Sequence, residues 1–183
     1  MVDRRTFLLG LSALVAFPAT AAAHGEFVLD PEYLPQRVDL IGYGIGTIVV
    51  DPQARFLYLV EGDGVARRYG VGVGRAGLRF SGEATVGRKA EWPRWTPTPN
   101  MIKREPHKYA RYAKGMKGGP GNPLGARALY LYRDGADTLY RIHGTTEPSS
   151  IGKAVSNGCI RMINDHVIDL YDRVAVGAQV VVR

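Results

Sequence analysis

A second cysteine is missing from this chain of 183 residues. Cys159 stands alone, so no disulfide forms within the chain, and the sulfur is left either to packing or to chemistry. Histidine is also scarce: His24, His107, His143 and His166 are scattered. One thiol and dispersed imidazoles offer no zinc-ligand spacing, so no metal site is expected. There is no G-x-G-x-x-G run opening a helix. The glycines from Gly70 to Gly74 read instead as a strand with bulges or a close backbone approach, and no cofactor is expected. Long apolar runs are absent too. The longest reaches only to Phe17, short of the ~20 residues a membrane-spanning helix needs. Acidic residues are outnumbered, with 17 Asp and Glu against 24 Lys and Arg.

What is present begins with a leader. Arg4 and Arg5 precede Phe7-Leu8-Leu9 and a short apolar stretch, which ends at Ala21-Ala22-Ala23. This order is that of an export signal peptide over 1–23, and its arginine pair resembles a twin-arginine signal. The expected location is the periplasm, with no transmembrane span in the mature form. Residues 24–45 carry Pro31 and Pro35 and little periodicity, and read as an irregular arm or edge segment. Residues 46–183 form the remaining domain.

Short apolar runs separated by turn residues mark that domain as mainly β. Strands are expected at 47–50, 55–60, 65–73, 128–132, 138–142 and 179–182. One helix is expected from about Asp165 to Val174, with Asn164 as its N-cap and Val167, Leu170, Tyr171 and Val174 on its apolar face. Residues 81–122 read as a long loop-rich insertion in which Pro93, Pro97, Pro99 and Pro106 interrupt regular structure. From Arg88 to Arg127 the chain holds ten Lys and Arg residues against Glu91 and Glu105, interleaved with aromatics. That mixture could bind nucleic acid, but an exported protein meets other anions, so an anionic polymer or peptide is the expected partner.

The chemistry gathers between His143 and Arg161, HGTTEPSSIGKAVSNGCIR. His143 falls at a strand end, and Cys159 follows Ser156-Asn157-Gly158. A thiol needs a base to become a thiolate, and His143 is the candidate, with a lowered thiol pKa expected from the pairing. A backbone carbonyl near Gly144 would hold the ring in one tautomer. Gly158 would let a substrate carbonyl approach the backbone, and the amides of Gly158 and Cys159 would receive the oxyanion. Ser156 and Asn157 would brace the loop, and Arg161 would grip a carboxylate. Three functions fit these parts: acyl transfer, hydrolysis as a carboxypeptidase or cysteine peptidase, and non-catalytic binding of an anionic polymer, which the resemblance below would make a wall-binding module.

His143-Gly144 followed by Ser156-Asn157-Gly158-Cys159-Ile160-Arg161-Met162 resembles the catalytic motif of the L,D-transpeptidases, the YkuD-like family. The resemblance runs from about Gly46 to Val182 through NPLGARALYLY, HGTTEPSSIG and NDHVIDLYDRVAVGAQVVV. It implies a β-sandwich of mixed sheets with one short α-helix after the cysteine. It also implies action on peptidoglycan stem peptides, with Cys159 attacking the carbonyl between an L-centre and a terminal D-alanine. Many members have histidine where this chain has Asn157, which can only hydrogen-bond.

Overall fold

Ile48, Val49 and Val50 are buried on both faces, the mark of a strand inside a sheet rather than at its edge. They belong to β2 (Ile48–Asp51) in a computed structural model that describes residues 27–183. The export leader lies outside the described residues. Asp51 ends β2 by accepting the N–H groups of Gln53 and Ala54, each at 2.9 Å, a local bond that turns the chain. The meander continues through β3 (Phe56–Gly62) and β4 (Val65–Gly70). From the arm, β1 (Gln36–Asp39) pairs antiparallel with β4 and forms one edge of the sheet.

Next come β5 (Val73–Gly74), β6 (Gly82–Glu91), β7 (Arg127–Arg133) and β8 (Ala136–His143). After them follow β9 (Ala154–Ser156), β10 (Ile160–Arg161) and β11 (Gln179–Val182). Nine strands make one mixed sheet in the order β1-β4-β3-β2-β11-β6-β7-β8-β10, and β5 and β9 form a separate parallel pair. Within the large sheet only β2–β11 and β8–β10 are parallel. The mainly β class with mixed sheets therefore stands. The glycine run packs closely, as expected: a Cβ on Gly72 would come within 2.5 Å of the Ser150 carbonyl oxygen.

The insertion is more regular than its prolines suggested. Residues 82–91 of it are β6, which pairs with both β7 and β11. Pro99 and Pro106 start the short helices α1 (Pro99–Arg104) and α2 (Pro106–Tyr109) rather than breaking them. A first-turn residue has no intrahelical acceptor for its N–H, so proline costs nothing there. Thr98 caps α1, its Oγ1 accepting the Met101 N–H at 3.2 Å.

The main helix, α3, spans Asn164–Arg173, and its N-cap is Ile163, not Asn164. The Asn164 side chain turns away to bond other loops. Val167 and Leu170 are fully buried in the core, where the helix meets β7 and β8. Lys89 on β6 donates to the Tyr171 and Val174 carbonyls at 2.5 and 2.6 Å. A cation thus sits where the last turn leaves carbonyls unpaired.

Candidate active site

Strand register brings the two remote motifs together. In the parallel pair β8–β10, His143 lies beside Arg161 and Ile142 beside Ile160. Side chains alternate faces along a strand, so Arg141 and His143 share one face with Cys159 and Arg161. Ile142, Ile160 and Met162 fill the core on the other face. His143 and Cys159 line a single cleft of about 140 Å³ with Trp95 and Tyr109. A second cleft of about 390 Å³ opens on another side of Cys159, and His143 does not line it.

His143 is buried, and its Nδ1 lies 2.5 Å from the Gly144 carbonyl oxygen. A carbonyl can only accept, so Nδ1 carries the proton and Nε2 keeps its lone pair. The orienting carbonyl is thus the one expected. Asn164 holds the loop that presents it: Oδ1 accepts the Ala126 N–H at 3.1 Å, and Nδ2 donates to the Thr145 carbonyl at 3.2 Å. A Cβ on Gly144 would collide with Asn164 Oδ1.

The expected lowering of the thiol pKa is not found. Burial pushes Cys159 up, against the Arg141 backbone N–H and the cations Arg141 and Arg161. Burial likewise pushes His143 down to about 4, opposed by the Gly144 and Leu124 carbonyls. The resting pair is therefore a neutral thiol and a neutral imidazole at pH 7. The thiol donates to the Leu139 carbonyl at 3.9 Å rather than to the imidazole. Another staggered rotamer would turn the sulfur off that carbonyl, and apo geometries of this kind tighten when substrate arrives.

Two further expectations change. The Gly158 N–H is committed to Ser156 Oγ at 3.1 Å, so it does not face an oxyanion. The Cys159 N–H takes no acceptor among the described residues. Gly158 also has a different reason to be glycine. Its φ is 126°, and a Cβ there would meet the Leu78 carbonyl oxygen and the Tyr140 ring, each at 2.6 Å. The chain itself occupies the space the sequence reading reserved for substrate. Arg161 already has a partner, Glu147, at 2.6 Å on the cleft rim.

Ser156 braces the loop as expected, donating to the Cys159 carbonyl at 2.6 Å. Asn157 does more than brace. Its Oδ1 accepts from Arg75 at 2.8 Å and Arg104 at 2.6 Å, and its Nδ2 donates to the Tyr109 hydroxyl at 3.1 Å. It therefore fastens α1 and α2 to the cysteine loop. Arg75, Arg104 and Tyr109 carried no sequence signal, because their meeting point depends on how the insertion folds back. Arg141 was readable, since it lies two residues before His143 on the same strand. Of the remaining histidines, His107 is exposed, His166 is buried beside the Tyr69 ring, and His24 lies outside the described residues. No helix among the described residues is long and apolar enough to cross a membrane.

Residues 45–182 match the family model of the L,D-transpeptidase catalytic domain, YkuD. The probable L,D-transpeptidase ErfK/SrfK of Escherichia coli (strain K12) is 36% identical over 137 residues, covering 74% of this chain and 43% of that protein. The putative L,D-transpeptidase YqjB of Bacillus subtilis (strain 168) is also 36% identical over 137 residues, covering 74% of this chain and 69% of that protein. The chain thus spans less than half the length of ErfK/SrfK. A Brucella melitensis crystal structure, described as a probable carnitine operon oxidoreductase, is 58% identical with a TM-score of 0.59. It covers 85% of this chain, which covers 96% of it.

Proposed function

The chain belongs to the L,D-transpeptidase catalytic domain family, and from that premise we propose that it is an exported enzyme acting on peptidoglycan stem peptides, with Cys159 as nucleophile and His143 as acid–base. The observation that carries this reading is the cleft shared by His143 and Cys159, with Nδ1 of the imidazole held by the Gly144 carbonyl. The arginine pair and apolar leader support export.

As substrate enters, Sγ leaves the Leu139 carbonyl and gives its proton to His143 Nε2. The thiolate adds to the carbonyl between the L-centre and the terminal D-alanine. The oxyanion falls to the Cys159 N–H. The C–N bond then breaks, the imidazolium returns its proton to the departing D-alanine amine, and a thioester remains on Sγ. An amine from a neighbouring stem attacks the thioester and loses its proton to Nε2. The C–S bond breaks, an amide forms and the thiol is restored. During each transfer the Gly144 and Leu124 carbonyls, which favour the charged ring, offset part of the cost of a buried imidazolium.

Incubation with disaccharide-tetrapeptide muropeptides tests this reading. Cross-linked dimers and free D-alanine are expected from the wild type and neither from Cys159→Ala. Trimmed monomers without dimers would mean that water resolves the thioester, and the activity would be hydrolytic.

A further inference from the structure

Proton bookkeeping divides the site into two sides. The departing amine receives a proton from the imidazole and the incoming amine gives one to it, so both must stand on the His143 side of the sulfur. The acyl part of the substrate then extends into the cleft that Cys159 lines and His143 does not, the one of about 390 Å³. That cleft contains a guanidinium in an unusual setting.

Arg88 lies on β6 just past a β-bulge: Val86 pairs with Leu131 and Arg88 with Tyr130, and Gly87 is the extra residue. Bulges re-aim the side chains that follow them. Val86 points into the core, and alternation alone would have sent Arg88 there too. The bulge sends it outward instead, where its guanidinium lies 3.5 Å from the Tyr130 ring centroid. Tyr130 is itself paired with Arg141, so Arg88, Tyr130 and Arg141 form a row across three strands. Arg141 is spent: it grips both carboxylate oxygens of Asp137, at 2.6 and 2.8 Å. Arg88 acts on the Asp137 carboxyl only as a neighbouring charge, and among the described residues that carboxylate's ion pair is with Arg141. A guanidinium has five N–H donors, and one that is stacked on an aromatic ring can still offer two of them to a planar anion. Trp95 and Leu139 also line this cleft. The Leu139 backbone is held at φ 64° as its N–H bonds Asp137, and its exposed side chain forms part of the cleft wall.

We propose that Arg88 binds a free carboxylate on the acyl part of the substrate, making the Arg88–Tyr130 stack the specificity determinant of the cleft opposite His143. The proposal rests on the transpeptidase reading for the identity of the substrate, a peptide with free carboxylates. It assigns the acyl part to one side of Cys159 and both amines to the other.

The experiment compares two tetrapeptide substrates, one with its internal carboxylates free and one with them converted to carboxamides. Acylation of Cys159 is followed by mass spectrometry. The wild type is expected to favour the carboxylate peptide by about tenfold in kcat/KM, the order of one charge-assisted hydrogen-bonded contact. Arg88→Met is expected to bring that ratio close to one. A ratio unchanged by the substitution would overturn the proposal. Failure of the wild type to acylate either peptide would instead contradict the transpeptidase reading. In that case affinities measured on Cys159→Ala, with and without Arg88→Met, still decide the Arg88 question. Equal affinity for the two peptides when Arg88 is present would overturn it.

Discussion

Asn164 touches neither the sulfur nor the imidazole, yet both of its side-chain bonds fix the loops that frame His143. Replacing it with alanine leaves a backbone N–H and a carbonyl without partners, which typically costs about 1–3 kcal/mol each when buried. Asn164→Ala is expected to lower the denaturation midpoint and also to slow acylation, because the Gly144 carbonyl is no longer held against Nδ1. A urea titration measures the first effect and the rate of adduct formation the second; loss of stability with an unchanged acylation rate would leave Asn164 a purely structural residue. A second expectation follows from the neutral resting pair. As the proposed base, His143 would act only while unprotonated, and burial places its pKa at about 4. The acid limb of kcat/KM for acylation should therefore fall near pH 4. A limb near 6.5, the ordinary value for histidine, would contradict the burial argument.

At the scale of elements, the cysteine loop and the insertion are one assembly. Three side chains from separate segments, Arg75, Arg104 and Tyr109, converge on Asn157. Asn157→Ala removes all three bonds at once. Amide hydrogen exchange across 99–112 should then accelerate well above the wild-type rate, while exchange in β7 and β8 stays slow. Equal exchange in the two proteins would mean that packing of Trp95 on Tyr109 and Tyr112 holds the insertion by itself. The same region shows what the sequence could and could not tell. The meander, the strands that deliver His143, and β11 were legible, because β-branched and aromatic runs end at clear turn residues. β6 was not: Gly82 to Glu91 is polar and contains glycines, and it becomes a strand because β7 and β11 flank it. Pro99 and Pro106 were legible as punctuation but not as helix starts: the first depends on the Thr98 cap, and the second has no side-chain cap to announce it. That Cys159 and His143 line one cleft was legible as a motif. The commitment of the Gly158 amide to Ser156 was not, because it depends on a side-chain rotamer.

For the whole molecule, the buried site carries a cost that depends on pH. The folded His143 has its pKa depressed to about 4, whereas the unfolded residue titrates near 6.5. Between these values the unfolded chain binds a proton that the folded chain refuses, so stability falls as pH drops through that window. The effect amounts to roughly 3 kcal/mol by pH 4. His166, also depressed by burial, acts in the same direction. The carboxylates of Glu61 and Asp137, held low by their arginine partners, and of Asp169, held low by the Tyr69 hydroxyl and Arg173, keep their contribution above the ordinary carboxylate range and lose it below. His143→Gln should therefore flatten the pH dependence of unfolding free energy between pH 7 and pH 4. Parallel curves for the two proteins would show that the buried imidazole costs the fold nothing.

One sulfur, Cys159, is expected to become acylated with help from one imidazole. Intact-mass spectrometry of the protein mixed with a tetrapeptide ending in D-alanine tests it most directly. The predicted result is a mass increase equal to the peptide minus one molecule of free D-alanine, which leaves with the thiol proton, mapping to Cys159 and lost in Cys159→Ala and in His143→Gln. A protein that stays at its native mass while the peptide is consumed, or an adduct that survives removal of the thiol, would contradict it.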